Sequence, residues 1–259
     1  MSKERKIIYY KDELNEEFST AVIKAKPIDE NYDYGGKTLS WKIAHFFWYK
    51  VIAIPIAFLF LKLKYKHKIF NKKLLKEYRN SSIFLYANHT NPAADALIPT
   101  FVSLPHSAYV IVHPNNVSMP FLGRITPYLG ALPLPDNLAA GKNFMEALKL
   151  HIQENNNIMI YPEAHIWPFY TKIRPFPDAS FKYPVQYKTP VFCFTNIYQK
   201  RRFSKNPRML TYIDGPFFPD ESLSLKEQRK DLRDRVYNTM VERSKLNNIE
   251  IIKYIKKVD

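Results

Sequence analysis

Residues 83–87, Ile-Phe-Leu-Tyr-Ala, are a short run of β-formers that gives way within four residues to Asn91-Pro92. That pair is a helix-start signal, with asparagine as N-cap and proline at the first helical position. A strand that feeds at once into a helix is the building step of an α/β fold. The step recurs downstream. Residues 141–152 place Phe144, Leu148 and Ile152 at i, i+4 and i+8, the pattern of a helix packed on a sheet, and Asn155-Asn156-Asn157 ends it. Residues 158–161 then read as the next strand, which leaves Glu163 just past a strand end, where α/β folds carry their sites. Ser224-Leu225-Lys226-Glu227 is a capping box opening a helix with Leu225, Leu232, Val236 and Met240 on one side. The expected fold is α/β, a mixed sheet flanked by helices.

The loop between the first strand and its helix carries chemistry. Asn88-His89-Thr90-Asn91-Pro92-Ala93-Ala94-Asp95 sets an imidazole and a carboxylate six positions apart. A neutral imidazole can take the proton of an attacking hydroxyl. A carboxylate on its other nitrogen fixes the tautomer and steadies the imidazolium that forms. The sequence places His89 in the loop and Asp95 in the first turns of the helix, so the loop conformation must bring them together. Backbone amides at the Pro92 helix start would be oxyanion donors. The alternative for the pair is a capping or buried polar role.

With further blocks downstream, the chain resembles the glycerolipid acyltransferase family of the bacterial PlsC type, the 1-acylglycerol-3-phosphate acyltransferases of phospholipid biosynthesis. The family's first block is Asn-His, four residues, then Asp; here five residues intervene. Its second block is similar to Gly123-Arg124-Ile125-Thr126-Pro127-Tyr128-Leu129-Gly130-Ala131-Leu132-Pro133-Leu134-Pro135-Asp136, with Asp136 where the family ends on arginine. Its third, Phe-Pro-Glu-Gly-Thr-Arg-Ser, looks like Tyr161-Pro162-Glu163-Ala164-His165-Ile166-Trp167, in which only Pro162 and Glu163 match. Thr189-Pro190-Val191-Phe192-Cys193-Phe194 resembles the fourth. The resemblance implies O-acyl transfer from an acyl thioester, on coenzyme A or acyl carrier protein, to a hydroxyl of a lysophospholipid-like acceptor. His89 would be the general base, Asp95 its partner, and Glu163 part of the acceptor region. No metal or resident cofactor is implied.

Composition bounds the rest. The 259 residues are 46% hydrophobic, enough for one sizeable α/β domain with appendages. Cys193 is the only cysteine, which rules out an internal disulfide and fits a small buried strand residue in a reducing compartment. No GxxxxGK[ST] loop or dinucleotide fingerprint is present, so nucleotide hydrolysis is not indicated. The charged start Met1-Ser2-Lys3-Glu4-Arg5-Lys6 does not read as a secretory signal. A net charge of +15 calls for an acidic partner. Residues 43–61 are the most apolar in the chain and lead into Lys62, Lys64, Lys66, Lys68, Lys72 and Lys73, which points to an anionic membrane surface. Because Lys50 and Pro55 interrupt this stretch, an in-plane pair of helices is the better fit, the alternatives being a true span and a buried helix hairpin with a solvated lysine face. Three regions follow: a polar N-terminal extension over residues 1–40, a membrane-docking segment over 41–73, and the acyltransferase-like domain over 74–259. The protein would sit on the cytoplasmic face of a membrane, peripheral or monotopic.

Other residues are candidates for substrate. His165 could bond the acceptor or pack as a loop residue. Arg124, Lys142, Arg174 and Lys182 are candidate phosphate ligands, since arginine offers a planar fork of donors and lysine a point charge. The strip over residues 199–208 is basic with a single aromatic, Phe203, a headgroup or acidic-carrier signal more than a nucleic-acid one. The alternative function is a catalytically altered or inactive lipid-binding protein of the same fold.

Overall fold

The computed structural model describes residues 6–18 and 23–257. The opening Met1 to Arg5, where the sequence lacks a signal-like pattern, lies outside the described residues. Two sheets organise the chain. The larger runs in the order β2(Lys68–Phe70), β8(Arg208–Phe217), β7(Val191–Gln199), β3(Phe84–Ala87), β6(Asn157–Ile160), β4(Ala108–Val112), β5(Ala131–Pro133). From β7 to β5 all neighbours are parallel, whereas β8 is antiparallel to β7 and parallel to β2, so the sheet is mixed. The smaller sheet is one parallel pair, β1(Lys6–Tyr10) with β9(Ile252–Lys256).

Because strand side chains alternate, one strand feeds two layers. In β3, Phe84 and Tyr86 join a cluster with Phe144, Leu148, Leu232, Val236 and Met240, while Leu85 and Ala87 join one with Leu61, Tyr65, Ile98 and Phe194. The first layer is built by α5(Leu138–Gln153), α6(Lys182–Tyr187) and α7(Leu225–Ser244). Asn137 caps α5, which starts at Leu138, ahead of the Gly141 start that the periodicity marks, and the Ser224–Glu227 capping box opens α7 as the sequence reads. Leu232, Val236 and Met240 are fully buried, but Leu225 is exposed, because a first-turn residue lies beyond the edge of the sheet that the later turns cover. The second layer holds α3(Ile98–Ser103) and the apolar segment.

That segment is one continuous helix over Leu39–Tyr65, not a pair. It comprises α1(Leu39–His45), a π-helical stretch Phe46–Ala53, and α2(Ile54–Tyr65) with Pro55 near its start. The i→i+5 bonding widens the turn ahead of Pro55, making room for the ring and removing the need for its N–H. The 27 residues are long and apolar enough to cross a membrane by composition, yet the helix is docked along its length. Lys42 pairs with Glu154, and the His45 ring contacts Tyr128 O and Ser107. Tyr49 Oη accepts from Ala108 N–H, Lys50 donates to Pro105 O, and Tyr65 Oη accepts from Asn91. Only 17% of its most apolar window is buried, and Ile43, Phe46, Ile56, Phe58, Leu59 and Leu63 stand exposed.

The expected polar extension contributes more than a tail. Beyond β1, Ile28 and Tyr34 enter the core, and Asp136 clamps Ile28 by accepting its N–H at 2.8 Å while the Asp136 N–H donates to Ile28 O at 3.1 Å.

Two histidines, the buried His151 and the half-buried His67, are expected to make the fold acid-sensitive. His151 stacks on Tyr109 at 3.6 Å, and neither ring nitrogen has a hydrogen-bond partner among the described residues, Glu154 being 3.9 Å away. Burial, then the charges of His45 and Lys42, holds its pKa down at about 3; burial and Lys62 hold His67 at about 4. Both are neutral in the native state and protonate in the unfolded state below about pH 6.5, so the unfolded state binds more protons there. Stability therefore falls as pH drops from about 6.5, by up to about 1.4 kcal/mol per unit for each imidazole. Urea midpoints measured between pH 7 and pH 5 will show this slope, and His151→Leu will flatten it by roughly half. A slope unchanged by that substitution would contradict the assignment.

Candidate active site

β3, β6, β4, β5 and β7 all end on one edge of the sheet, and the loops leaving β3 and β6 meet there. Asn88 ties the first loop to β7, its side chain accepting from Asn196 N–H at 2.8 Å and donating to Asn196 O at 2.9 Å. His89 follows, its ring stacked on Tyr161 at 4.3 Å. Its Nδ1 is 3.0 Å from Asp95 Oδ2. Nε2 has no partner among the described residues, and the side chain is 17% exposed, so that nitrogen is open to a ligand.

Asp95 lies in a turn rather than in a helix, which begins only at Ile98. Asn91 does cap, accepting from Ala94 N–H at 3.0 Å, and Asp95 N–H reaches Asn91 O at 2.9 Å. Regular helix then stops, for two reasons. Pro99 has no N–H to offer the Asp95 carbonyl, which Tyr161 Oη satisfies instead at 2.6 Å. The Asp95 carboxylate also folds back, Oδ2 accepting from Thr90 and Asn91 N–H, each at 2.7 Å. The sequence points to the amides near the Pro92 helix start as oxyanion donors. The structure commits those of Thr90, Asn91, Ala94 and Asp95 within the loop itself.

The loop after β6 packs against the first. Trp167 N–H donates to His89 O and Phe169 N–H to Thr90 O. Glu163 is buried, with Oε2 accepting from His89 N–H at 3.2 Å and Oε1 from Arg174 N–H at 3.2 Å. Burial pushes its carboxyl pKa up, partly offset by Arg174 and by these two amides. Glu163 therefore holds the backbone of the His89 loop. Arg174, expected as a phosphate ligand, is wholly enclosed: its guanidinium pairs with Glu163 Oε2 at 3.5 Å, donates to Glu163 O, His165 O and Glu13 O, and lies 5.0 Å over the Trp167 ring. A spacing argument cannot foresee this, because the partner that claims the arginine is eleven residues away in the same loop. Ala164 takes φ +61°, where the resembling family has glycine, at a cost of about 1–2 kcal/mol for a residue with a Cβ.

The other candidates are apart from this cluster. His165 Nδ1 is 3.4 Å from Glu17 and the side chain is 34% exposed. Arg124 is exposed on α4(Leu122–Ile125), beside a hollow that Lys24, Lys26 and Phe121 also line. Lys142 and Lys182 are exposed, Lys182 over the Tyr183 ring. Asp136, which takes the place of a family arginine, holds Ile28. Cys193 is fully buried, and burial pushes its thiol well above the ordinary value, so it is no nucleophile. No group of three or more His, Cys, Asp or Glu among the described residues could hold a metal. A basic hollow lined by Lys72, Lys76, Arg79 and His106 also reaches Ile83 and Asn157, where β3 and β6 begin, so it lies at the opposite sheet edge from His89.

Residues 68–195 match the family model described as Acyltransferase, a stretch that contains both loops. Over that stretch the chain is similar to the acyltransferase family. Its fold is similar to that of the 1-acyl-sn-glycerophosphate acyltransferase PlsC from Thermotoga maritima. That crystal structure aligns with a TM-score of 0.54 over 81% of each chain at 18% identity. No curated protein matches the chain at a significant level. The matched range thus includes His89, Asp95 and Glu163, whereas the clamp on Ile28 and the β1–β9 pair draw on residues outside it.

Sequence reasoning missed Asn196, which donates to Asp95 Oδ1 at 3.4 Å, and the Glu163–Arg174 pair. An asparagine among apolar residues in a strand, Phe194-Thr195-Asn196-Ile197, was the available signal, since a polar residue at a buried strand position must find a partner.

Proposed function

We propose that this protein is an O-acyltransferase that moves an acyl group from a thioester, on coenzyme A or acyl carrier protein, to a hydroxyl of a lipid-like acceptor at a membrane surface. The observation that carries the reading is the His89–Asp95 contact with Nε2 left open. Asp95 accepts from Nδ1–H, which makes Nε2 the basic nitrogen. Nε2 takes the proton of the acceptor hydroxyl as its oxygen attacks the thioester carbonyl; the C–S bond then breaks and the proton goes to the departing thiolate. A thiolate is a good leaving group, so no covalent enzyme intermediate is required.

Membrane association rests on the Leu39–Tyr65 helix. A helix bonded to its domain from Lys42 to Tyr65 presents its free apolar face sideways, which suits lying in the interface better than crossing. Lys62, Lys64 and Lys66 are exposed at its end, and Phe203, 89% exposed, stands on the basic β7–β8 loop tied to Lys64 O by Arg201. Each basic side chain near an anionic surface adds about 1 kcal/mol.

The acceptor is proposed to differ from the family's usual phosphomonoester. Asp136 and Ile166 stand where arginines suit a glycerol phosphate, and Arg174 is committed to Glu163, so a lysolipid with an esterified phosphate, a glycolipid or an alcohol fits better. Thiol release with a panel of donors and acceptors tests both parts. Turnover is expected, with kcat/KM for lysophosphatidate within about a hundredfold of that for an uncharged lysolipid of equal chain length. A larger preference for lysophosphatidate, abolished by Arg124→Ala, would show a relocated arginine and overturn the acceptor claim. No thiol release with any donor would leave a lipid-binding protein of this fold.

A further inference from the structure

Asp95 is held on both oxygens, and the hold on Oδ1 continues across the sheet. Asn196 on β7 donates from Nδ2 to Asp95 Oδ1 at 3.4 Å, while its Oδ1 accepts from Thr211 Oγ1 on β8 at 2.6 Å. Thr211 Oγ1 in turn lies 2.8 Å from His67 Nε2, one residue before β2. The register explains the row: Asn196 pairs with Thr211 across β7 and β8, and Thr211 with Ile69 across β8 and β2. Asp95, Asn196 and Thr211 are all buried.

The direction of every bond in this row is fixed by its end. A carboxylate accepts only, and Asp95 Oδ2 already takes three donors, so Asn196 must turn its NH₂ toward Oδ1. Its carbonyl then faces Thr211, whose single hydroxyl hydrogen is used there, and so the Thr211 oxygen must accept from a protonated Nε2 of His67. His67 is itself fixed by the Leu39–Tyr65 helix: Lys66 ends that helix in a left-handed conformation and His67 N–H bonds to Leu61 O.

We infer that His67, Thr211 and Asn196 are positioning residues for the acyl-transfer reaction, a one-way chain of donors that keeps the Asp95 carboxylate turned so that Oδ2 stays on His89 Nδ1. The inference rests on the general-base reading of His89. None of the three touches substrate, so their loss should lower kcat and leave KM for donor and acceptor in place.

The test is Thr211→Val, which removes the hydroxyl at nearly constant volume, with Thr211→Ser as the conservative rescue. In the wild type, nitrogen NMR of labelled imidazoles should show His67 as the Nε2–H tautomer and His89 as the Nδ1–H tautomer. In Thr211→Val both ring signals should shift, kcat for thiol release should fall about 10- to 100-fold and KM should hold, with Thr211→Ser restoring kcat and both signals. Val236→Ala, a core truncation on the far face of the sheet, controls for lost stability and should leave kcat unchanged. If Thr211→Val leaves kcat and the His89 signal as in the wild type, or if His67 proves to be the Nδ1–H tautomer, the chain of donors does not act on His89. If His89→Ala also keeps full thiol release, it is the acyl-transfer reading that has failed.

Discussion

In the His89→Ala protein, thioester-dependent thiol release is expected to fall by a factor of roughly 10²–10⁴ with the fold intact. The loss is chemical because the imidazole contributes little to packing: it rests on Tyr161 and is partly open to solvent. Its backbone contacts, from Glu163 to the N–H and from Trp167 to the carbonyl, survive the substitution. Asp95→Asn should be as damaging to turnover and should also cost stability, because an amide keeps only one accepting oxygen, whereas the carboxylate accepts from Thr90, Asn91 and His89 on Oδ2 and from Asn196 on Oδ1. In the proposed mechanism the comparison separates the two residues, since His89 would act in the chemistry alone and Asp95 in both the chemistry and the loop's architecture. Near-wild-type thiol release from His89→Ala would remove the general base and with it the proposed reaction.

Arg174→Leu is expected to destabilise the protein by about 3–5 kcal/mol at neutral pH, since it leaves the Glu163 carboxylate buried without its countercharge. The pH dependence of that deficit is diagnostic. Burial already lifts the folded-state pKa of Glu163 above the unfolded value, and loss of Arg174 lifts it further. A carboxyl whose pKa rises on folding gains a proton on folding, so its unfolded state binds fewer protons and stability falls as pH rises from the ordinary carboxylate range. Measured against the wild type by urea unfolding, the deficit should therefore be larger at pH 8 than at pH 5. Adding Glu163→Gln should recover part of it. A deficit independent of pH, or one that Glu163→Gln deepens, would mean that the arginine acts through packing on Trp167 and not through charge.

Local periodicity and capping were visible in the sequence because short-range chemistry sets them: the strand before Asn88, the α5 helix and the Ser224 capping box all stand where their residues indicate. So was the meeting of His89 and Asp95, although by a turn and not a helix. The continuous helix was hidden, because a π-helical stretch has no 3.6-residue signature and Pro55 reads as a breaker wherever the widened turn cannot be foreseen. Asp136 looked like a lost phosphate ligand because its partner, Ile28, is 108 positions away. Arg174 looked free for the opposite reason, since nothing in its spacing announces that Glu163 needs a buried countercharge. Residues whose roles depend on a distant backbone or on a neighbour's desolvation cannot be read from local pattern.

Trp167 sits where β1 and β9 converge. Its indole N–H donates to Glu16 O, its ring stacks on Tyr254 of β9 and meets Tyr10 of β1 edge-on, and its own N–H holds the His89 loop. During synthesis, Lys6–Tyr10 emerges first among the described strands and must wait for Ile252–Lys256, the last of them, before it can pair. The large sheet can form while β9 is still within the ribosome, but the surface that seats Trp167 cannot. The seating of Trp167, and with it the hold on the His89 loop, thus waits until Ile252–Lys256 is available to pair, and a chain stalled before residue 252 would carry a nearly complete core with that loop unseated.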